Sequence, residues 1–327
     1  MREVLMSGRW GTVAPKSIEA AEAISKYMDR EYALCIHSDF AALEALLRSL
    51  NIGYGDQVIV CSYSNPIDSM ATSCVGAEPV FCDIDPRSCT LSIDSVKRCI
   101  TQKTKAVIVD SYAGDCGNLK TLSKLCDEKN VFLIENLGDE LVINKYSTAT
   151  VIDMGSKSSL DLGMGAALVT DIEDVYKAFF AYHNCGRVPG TSDNLKVEDF
   201  VGGNMRIAEW QSCLVEPNLN KYELKTKETK KKAKKLESKF FTLIRAFNDR
   251  AVFAYNKDMN NGVSKDEYVE KLNNEGIKAC NRYGAMHKEP FFESNYFKKI
   301  TGCSKIKTDD LKGTEIATDT FIWVYWD

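Results

Sequence analysis

The chain has 327 residues, 44% of them hydrophobic, enough apolar material for a large core and one or two domains. Its 42 basic and 46 acidic residues leave a net charge of −4, so the basic footprint of a nucleic-acid binder is missing. Twelve cysteines are scattered without a CxxC pair, "MREVLMSGRW" carries no apolar signal segment, and no apolar run approaches the roughly 20 residues that cross a bilayer. Reduced thiols in a cytoplasmic chain with no membrane partner are expected.

In chain order, "SIEAAEAISKYM" (Ser17 to Met28) has helical apolar spacing, "YALCI" (Tyr32 to Ile36) reads as a short strand, and "AALEALLRSL" reads as a second helix. The strand-like runs "GYGDQVIVCS", "AEPVFCDID", "KAVIVDSY" and "VFLIENLG" follow, with helical stretches such as "LKTLSKLCDEK" between them. This alternation predicts an α/β fold whose mostly parallel sheet is covered by helices. Ligands of such sheets collect at the carboxyl ends of strands, here His37-Ser38-Asp39, Ser62 to Asn65, Asp110-Ser111-Tyr112, Glu135-Asn136 and Asp153 to Ser158. Farther on, "KYELKTKETKKKAKKLESKFFTLIRAF" reads as one long helix with a solvated lysine face. "GVSKDEYVEKLNNEGIKACNRY" reads as a helix leading into a strand. The chain divides into a large α/β domain, 1–215, and a long helix with a smaller C-terminal α/β domain, 216–327.

The segments "SGRWG", "GYGDQVIV", "GAEPVFCDIDP", "TKAVIVDSYAG", "VFLIEN", "GMGAALVTD", "GGNMRIAEWQ" and "RYGAMHKEP" resemble, in wording and order, the DegT/DnrJ/EryC1/StrS family of sugar aminotransferases. The resemblance covers nearly the whole chain. It implies the type I (aspartate aminotransferase-like) fold of enzymes dependent on pyridoxal phosphate (PLP), a dimer, and a site for nucleotide-linked sugars. Typical members start earlier and run on past "FIWVYWD", so part of the small domain or of a substrate lid is expected to be missing.

The resemblance breaks where the family holds its cofactor. The family's Ser-Gly-Thr turn that cups the phosphate reads "HSDFAAL", with Asp39 and Phe40 in place of glycine and threonine. The aromatic residue that stacks on the pyridine ring is replaced by Asn65, unless Tyr63 substitutes. The aspartate that keeps the ring nitrogen protonated is replaced by Asn136, which carries no charge. Counting back from the glycines of "GMGAALVT", Ser158 stands where the Schiff-base lysine belongs, with Lys157 beside it, and Asp153 stands at a phosphate-binding serine. A one-residue insertion in the turn would restore Lys157. Four lost contacts at about 1.5–3 kcal/mol each amount to about four to eight decades of affinity, so no cofactor is expected, with PLP as the alternative.

Three histidines, His37, His183 and His287, fall in segments that border the family's active site, and Asp39, Asp139, Glu140 and Asp153 map to the same cavity. His37, Asp39, Asp139, Asp153 and Ser158 are the candidate catalytic residues, because crowded carboxylates drive their pKa values apart and leave one as a proton donor near neutrality. No metal is expected, since no HxH or HxxxE spacing is present. Pairing of Asp39 or Asp153 with Lys157 or Arg206 in an emptied pocket is the purely structural alternative. Asn204 and Arg206 of "GGNMR" match a stretch that the family lends across a subunit interface, and Tyr283 and His287 match its sugar side; with Asn65, Asn136 and His183 they form the candidate substrate contacts. The expected function is a pseudo-aminotransferase that binds or modifies a sugar or nucleotide-sugar without PLP. The alternatives are a non-catalytic subunit paired with an active paralogue and a PLP-dependent sugar aminotransferase that uses Lys157. A homodimer or a heterodimer with a paralogue is expected.

Overall fold

The strand-like runs form a sheet buried on both faces. A computed structural model describes all residues except 12–14, 112–115, 139, 157, 159, 189–196, 198–200, 241, 248–249 and 327, with the side chains of 237–240, 247 and 259 also left undescribed. Strands Tyr32–Ile36 (β1), Gln57–Cys61 (β2), Glu78–Cys82 (β3), Thr104–Asp110 (β4), Phe132–Leu137 (β5), Ala149–Asp153 (β6) and Ala166–Thr170 (β7) alternate with helices. These include Pro15–Met28 (α1), Asp39–Ser49 (α2), Ile67–Cys74 (α3), Leu119–Lys129 (α4) and Glu173–His183 (α5). Later come Val215–Phe240 (α6), Thr242–Phe247 (β8), Arg250–Ala254 (β9), Lys265–Asn274 (α7), Ala279–Cys280 (β10), Lys307–Thr308 (β11) and Phe321–Tyr325 (β12).

The large sheet runs β1-β7-β6-β5-β4-β2-β3-β11. From β6 to β11 neighbours are parallel, whereas β7 is antiparallel to both β6 and β1. β1 therefore points the same way as the parallel set, and the carboxyl ends of β1, β6, β5, β4 and β2 open on one edge. One face packs under Leu43, Leu46 and Leu47 of α2 and Phe179 of α5. The other packs under Ile24 and Met28 of α1 and Leu122 and Leu125 of α4. Burial on both faces explains why these strands read as continuous apolar runs rather than alternating ones, each such side chain contributing about 1.5–3 kcal/mol.

The expected α/β architecture is present, but the expected helix from Lys221 to Phe247 is not one element. α6 ends at Phe240 and "TLIRAF" is strand β8, paired antiparallel with β9. The apolar side chains of "TLIRAF" gain more from a ladder against a buried neighbour than from extending a lysine-rich helix. The small sheet runs β8-β9-β12-β10 around the buried Phe253 and Trp323. The chain after 216 is not confined to that sheet: β11 joins the large one, and Gly284–Ala285 pairs antiparallel with Tyr63–Ser64, carrying the C-terminal segment to the carboxyl edge. All twelve cysteines are free thiols, and among the described residues no helix is long and apolar enough to cross a membrane.

Candidate functional site

At the carboxyl end of β1 the chain turns into α2. Ser38 is extended, with φ −160°, and its Oγ accepts a hydrogen bond from Ala41 N. Asp39 opens the helix, and its Oδ1 accepts from Phe40 N at 2.8 Å. The free amide donors of a helix start attract anions, and here the chain's own oxygens take two of them. Burial raises the Asp39 carboxyl above its ordinary range, against the lowering effect of the backbone hydrogen bond. His37 is half-buried and its amide donates to Met205 O at 2.9 Å.

Next to this turn lies an acidic group that the candidate list omits. Asn136, at the end of β5, donates from Nδ2 to Asp68 Oδ1 of α3 at 2.7 Å. Ser64 donates from Oγ to Asp110 Oδ2, at the end of β4, at 2.6 Å. Burial, and then the charges of Asp110 and Asp39, hold the Asp68 carboxyl well above its ordinary value, with only the Asn136 hydrogen bond opposing. Asp110 was visible in the sequence as a strand-end residue. Asp68 was not, because it belongs to a helix and meets Asn136 only after α3 folds back over the sheet edge.

A cavity of about 680 Å³ adjoins Ser64, with Asn65, Met70, Arg282, Tyr283, Glu289 and Phe291 among its lining. The Arg282 guanidinium stacks over the rings of Tyr283 at 5.1 Å and Trp323 at 4.7 Å, a geometry that orients a cation for anionic or planar ligands. Asn65 accepts from Ile67 N at 2.8 Å and so fixes the entry into α3. Tyr63 does not supply the missing stacking surface, since it is 1% exposed and lies edge-on to Tyr283. His287 Nδ1 is 2.8 Å from Ser62 Oγ; burial and then Lys288 lower its pKa, which favours a neutral imidazole near pH 7. Asn65 and Tyr283 line this cavity, whereas Asn136 is tied to Asp68 and His287 to Ser62 at the same carboxyl edge.

Asp153 closes β6, and its Oδ1 accepts from Gly155 N at 2.7 Å. The turn beyond it is tied by Ser158 N to Gly155 O and Ser156 N to Gly163 O, and the Ser158 side chain is buried. Lys157 and Asp139 lie outside the described residues.

His183, Asn204 and Arg206 sit elsewhere. His183 and Arg206 line a separate cavity of about 480 Å³ with Tyr32, Tyr176 and Phe180. Arg206 donates from Nε and Nη2 to Asn204 Oδ1 at 3.0 and 2.8 Å and makes no pair with Asp39: among the described residues, neither Asp39 nor Asp68 pairs with a lysine or arginine. Gly202 is required by packing, because a Cβ there would lie 2.3 Å from Gly186 N. His183 is buried, stacks on Phe179 and hydrogen-bonds Phe180 O through Nδ1 at 2.7 Å. Burial lowers its pKa from 6.5 to about 4. The folded state therefore binds its proton more weakly than the unfolded one, so stability is complete above pH 6.5 and falls as the pH drops toward 4. Replacing His183 with Phe should remove about 2 kcal/mol of acid sensitivity between pH 7 and pH 5; denaturant titrations at those two pH values would read it, and an equal pH slope in both proteins would refute it.

The PLP implied by the sequence resemblance meets a fitting group at one point. Asn136 Oδ1 is buried without a partner and could accept from a protonated ring nitrogen. The anionic end does not fit, because a phosphate at the start of α2 would compete with Asp39 for Phe40 N and approach Asp68.

The profile of the DegT/DnrJ/EryC1/StrS aminotransferase family matches residues 1–312. The chain is 27% identical over 239 residues, 67% of its length and 56% of the relative's, to the L-glutamine:2-deoxy-scyllo-inosose aminotransferase of Streptomyces lividus. It is 33% identical over 147 residues, 44% of its length and 38% of the relative's, to the dTDP-4-dehydro-2,3,6-trideoxy-D-glucose 4-aminotransferase of Saccharopolyspora spinosa. These matches span about half the length of those relatives. An aminotransferase structure from Psychrobacter cryohalolentis superposes with a TM-score of 0.86 at 18% identity, over 98% of this chain and 89% of that one. The E. coli GDP-4-keto-6-deoxy-D-mannose-3-dehydratase with bound hydrated PLP gives 0.82 at 18%, over 99% and 90%. These two neighbours speak for the fold alone, whereas the profile match spans nearly all of the sequence: the chain belongs to the DegT/DnrJ/EryC1/StrS aminotransferase family.

Proposed function

We propose that the chain is a family member that has given up PLP and transamination, and that it binds a sugar or nucleotide-linked sugar at the carboxyl edge and acts on it by acid–base chemistry in the cytoplasm. The observation that carries this reading is Asp39, whose carboxylate occupies the amide donor where a phosphate would be held. The cavity beside Ser64, with the stacked Arg282 and the rings of Tyr283 and Phe291, offers the mixture of aromatic surface and oriented polar groups that small-metabolite sites use. Raised carboxyls at Asp39 and Asp68 supply proton donors, and His287, neutral near pH 7, supplies an acceptor. A panel of UDP-, dTDP- and GDP-linked sugars should raise Tm by several degrees for at least one member, and Arg282→Ala should abolish the shift. A panel with no shift would sink the reading.

Two further readings have specific support. The names of the two relatives above, both aminotransferases, favour PLP-dependent transamination through Lys157. The loop that carries Asn204 and Arg206, which hydrogen-bond each other, matches a stretch that the family lends across a subunit interface, and a subunit that lends it to an active paralogue is the other reading; co-purification with such a paralogue tests it.

A further inference from the structure

Two thiols meet where β3 ends. Cys82 is its last residue and is buried; Cys99 is the last residue of the helix Ile93–Cys99 and is half-buried. The amide of Asp83, the residue after Cys82, donates to Ser95 Oγ at 2.8 Å, and Cys99 stands one turn beyond Ser95 on the same helix face. Cys99 packs against the apolar cluster that contains Cys82, and the two thiols hydrogen-bond each other.

The surroundings give the two sulfurs unequal character. Arg98 donates from Nε to Asp309 Oδ1 at 3.1 Å, and Asp309 N donates to Phe81 O at 3.2 Å, so the stretch after β11 is drawn in beside the pair. The hydrogen bond from Cys82 holds the Cys99 thiol below its ordinary value, against burial and the Asp309 charge, with Ser95 and Arg98 assisting. Burial, and then the hydrogen bond with Cys99, hold Cys82 well above it. The thiolate is the form that oxidants attack, so the half-buried Cys99 reacts first and the buried Cys82 is placed to resolve the product.

We propose that Cys82 and Cys99 are a redox-sensitive pair that a hydroperoxide closes to a reversible disulfide. The Cys99 thiolate attacks the peroxide: an S–O bond forms, the O–O bond breaks, and the hydroxide that leaves takes up a proton to become water. The Cys82 sulfur then attacks the sulfenic acid: the S–S bond forms, the S–OH bond breaks, and hydroxide leaves with the Cys82 proton as water. Two thiols are oxidised and one peroxide is reduced. Sulfurs already in contact reach a bond of about 2 Å by side-chain rotation. The disulfide ties β3 to the helix beside Asp83, whose carboxylate accepts from Gly313 N and Thr314 N at 2.8 Å, so oxidation braces the seat of the C-terminal segment. This inference is independent of the sugar-binding reading.

Treating the reduced full chain with a small excess of hydrogen peroxide, alkylating with N-ethylmaleimide and mapping peptides without reductant tests the pair. The twelve free thiols should fall by two, with a linked Cys82–Cys99 peptide that dithiothreitol removes, before the exposed Cys74 and Cys185 are modified. Cys99→Ser should abolish the link and leave Cys82 open to alkylation after unfolding, whereas Cys82→Ser should hold Cys99 as a sulfenic acid that dimedone traps. Modification of Cys74 or Cys185 while Cys82 and Cys99 stay free would overturn the pair. So would a link that forms only in denaturant, where the folded contact is gone, or oxidation of Cys82 in Cys99→Ser at the wild-type rate. Should Cys82→Ser fail to fold, the wild-type map and Cys99→Ser decide the matter.

Discussion

Purified protein mixed with excess PLP is expected to develop no new visible absorption band, and borohydride treatment followed by peptide mapping is expected to leave Lys157 unlabelled. The expectation comes from the start of α2 and the edge beside it. Asp39 already accepts from Phe40 N, Ser38 already accepts from Ala41 N, and Asp68 is buried within reach of Asp110 and Asp39. A phosphate dianion placed there would exchange its usual donors for carboxylates, at a short range where like charges repel strongly in a poorly solvated site. If Asn65 and Asn136 also stand in for the ring-stacking aromatic and the ring-nitrogen carboxylate, as the family resemblance implies, the expected loss over all four contacts is about four to eight decades of affinity. A stable band with label on Lys157 would instead establish the aminotransferase reading that the relatives' names favour.

Asp68→Asn is expected to stabilise the protein at pH 7. The carboxyl is held well above its ordinary value of 3.8 in the folded state, so the folded chain binds that proton more tightly than the unfolded chain. Stability should fall as the pH rises from 3.8 through the folded-state value and then level off. Asparagine cannot ionise and escapes this cost, which is about 1–3 kcal/mol for a buried group without a full set of partners, or several degrees of Tm. The advantage over wild type should vanish as the pH falls toward 3.8. A variant that is less stable at pH 7, or whose advantage does not change with pH, would mean that Asp68 is ionised and well paired. A residue that destabilises the empty protein yet remains in the binding edge is the expected signature of a functional group.

Much of this was legible in the sequence. The α/β alternation, β1 at Tyr32 to Ile36 and the helix-to-strand passage from Lys265 to Cys280 follow from apolar periodicity, because helices and doubly covered strands bury their side chains at different spacings. The departures at Asp39, Phe40, Asn65, Asn136 and Ser158 were legible because each falls inside an otherwise recognisable stretch. The end of α6 was missed: "TLIRAF" becomes a strand only because β9 waits beside it, and pairing across a sheet leaves little trace in local spacing.

Sequence by itself determined the family and the α/β alternation of its elements, since these depend on residue type along the chain. Only the tertiary structure decided that Asp68 and Asp110, remote from each other and from Asn136, come close at one buried edge, and that His183 and Arg206 line a different cavity from Asn65 and Tyr283. It also showed that Asp39 accepts from Phe40 N at the start of its own helix. Side chains brought together by strand order and helix return interact through distance and desolvation, quantities that residue spacing does not encode.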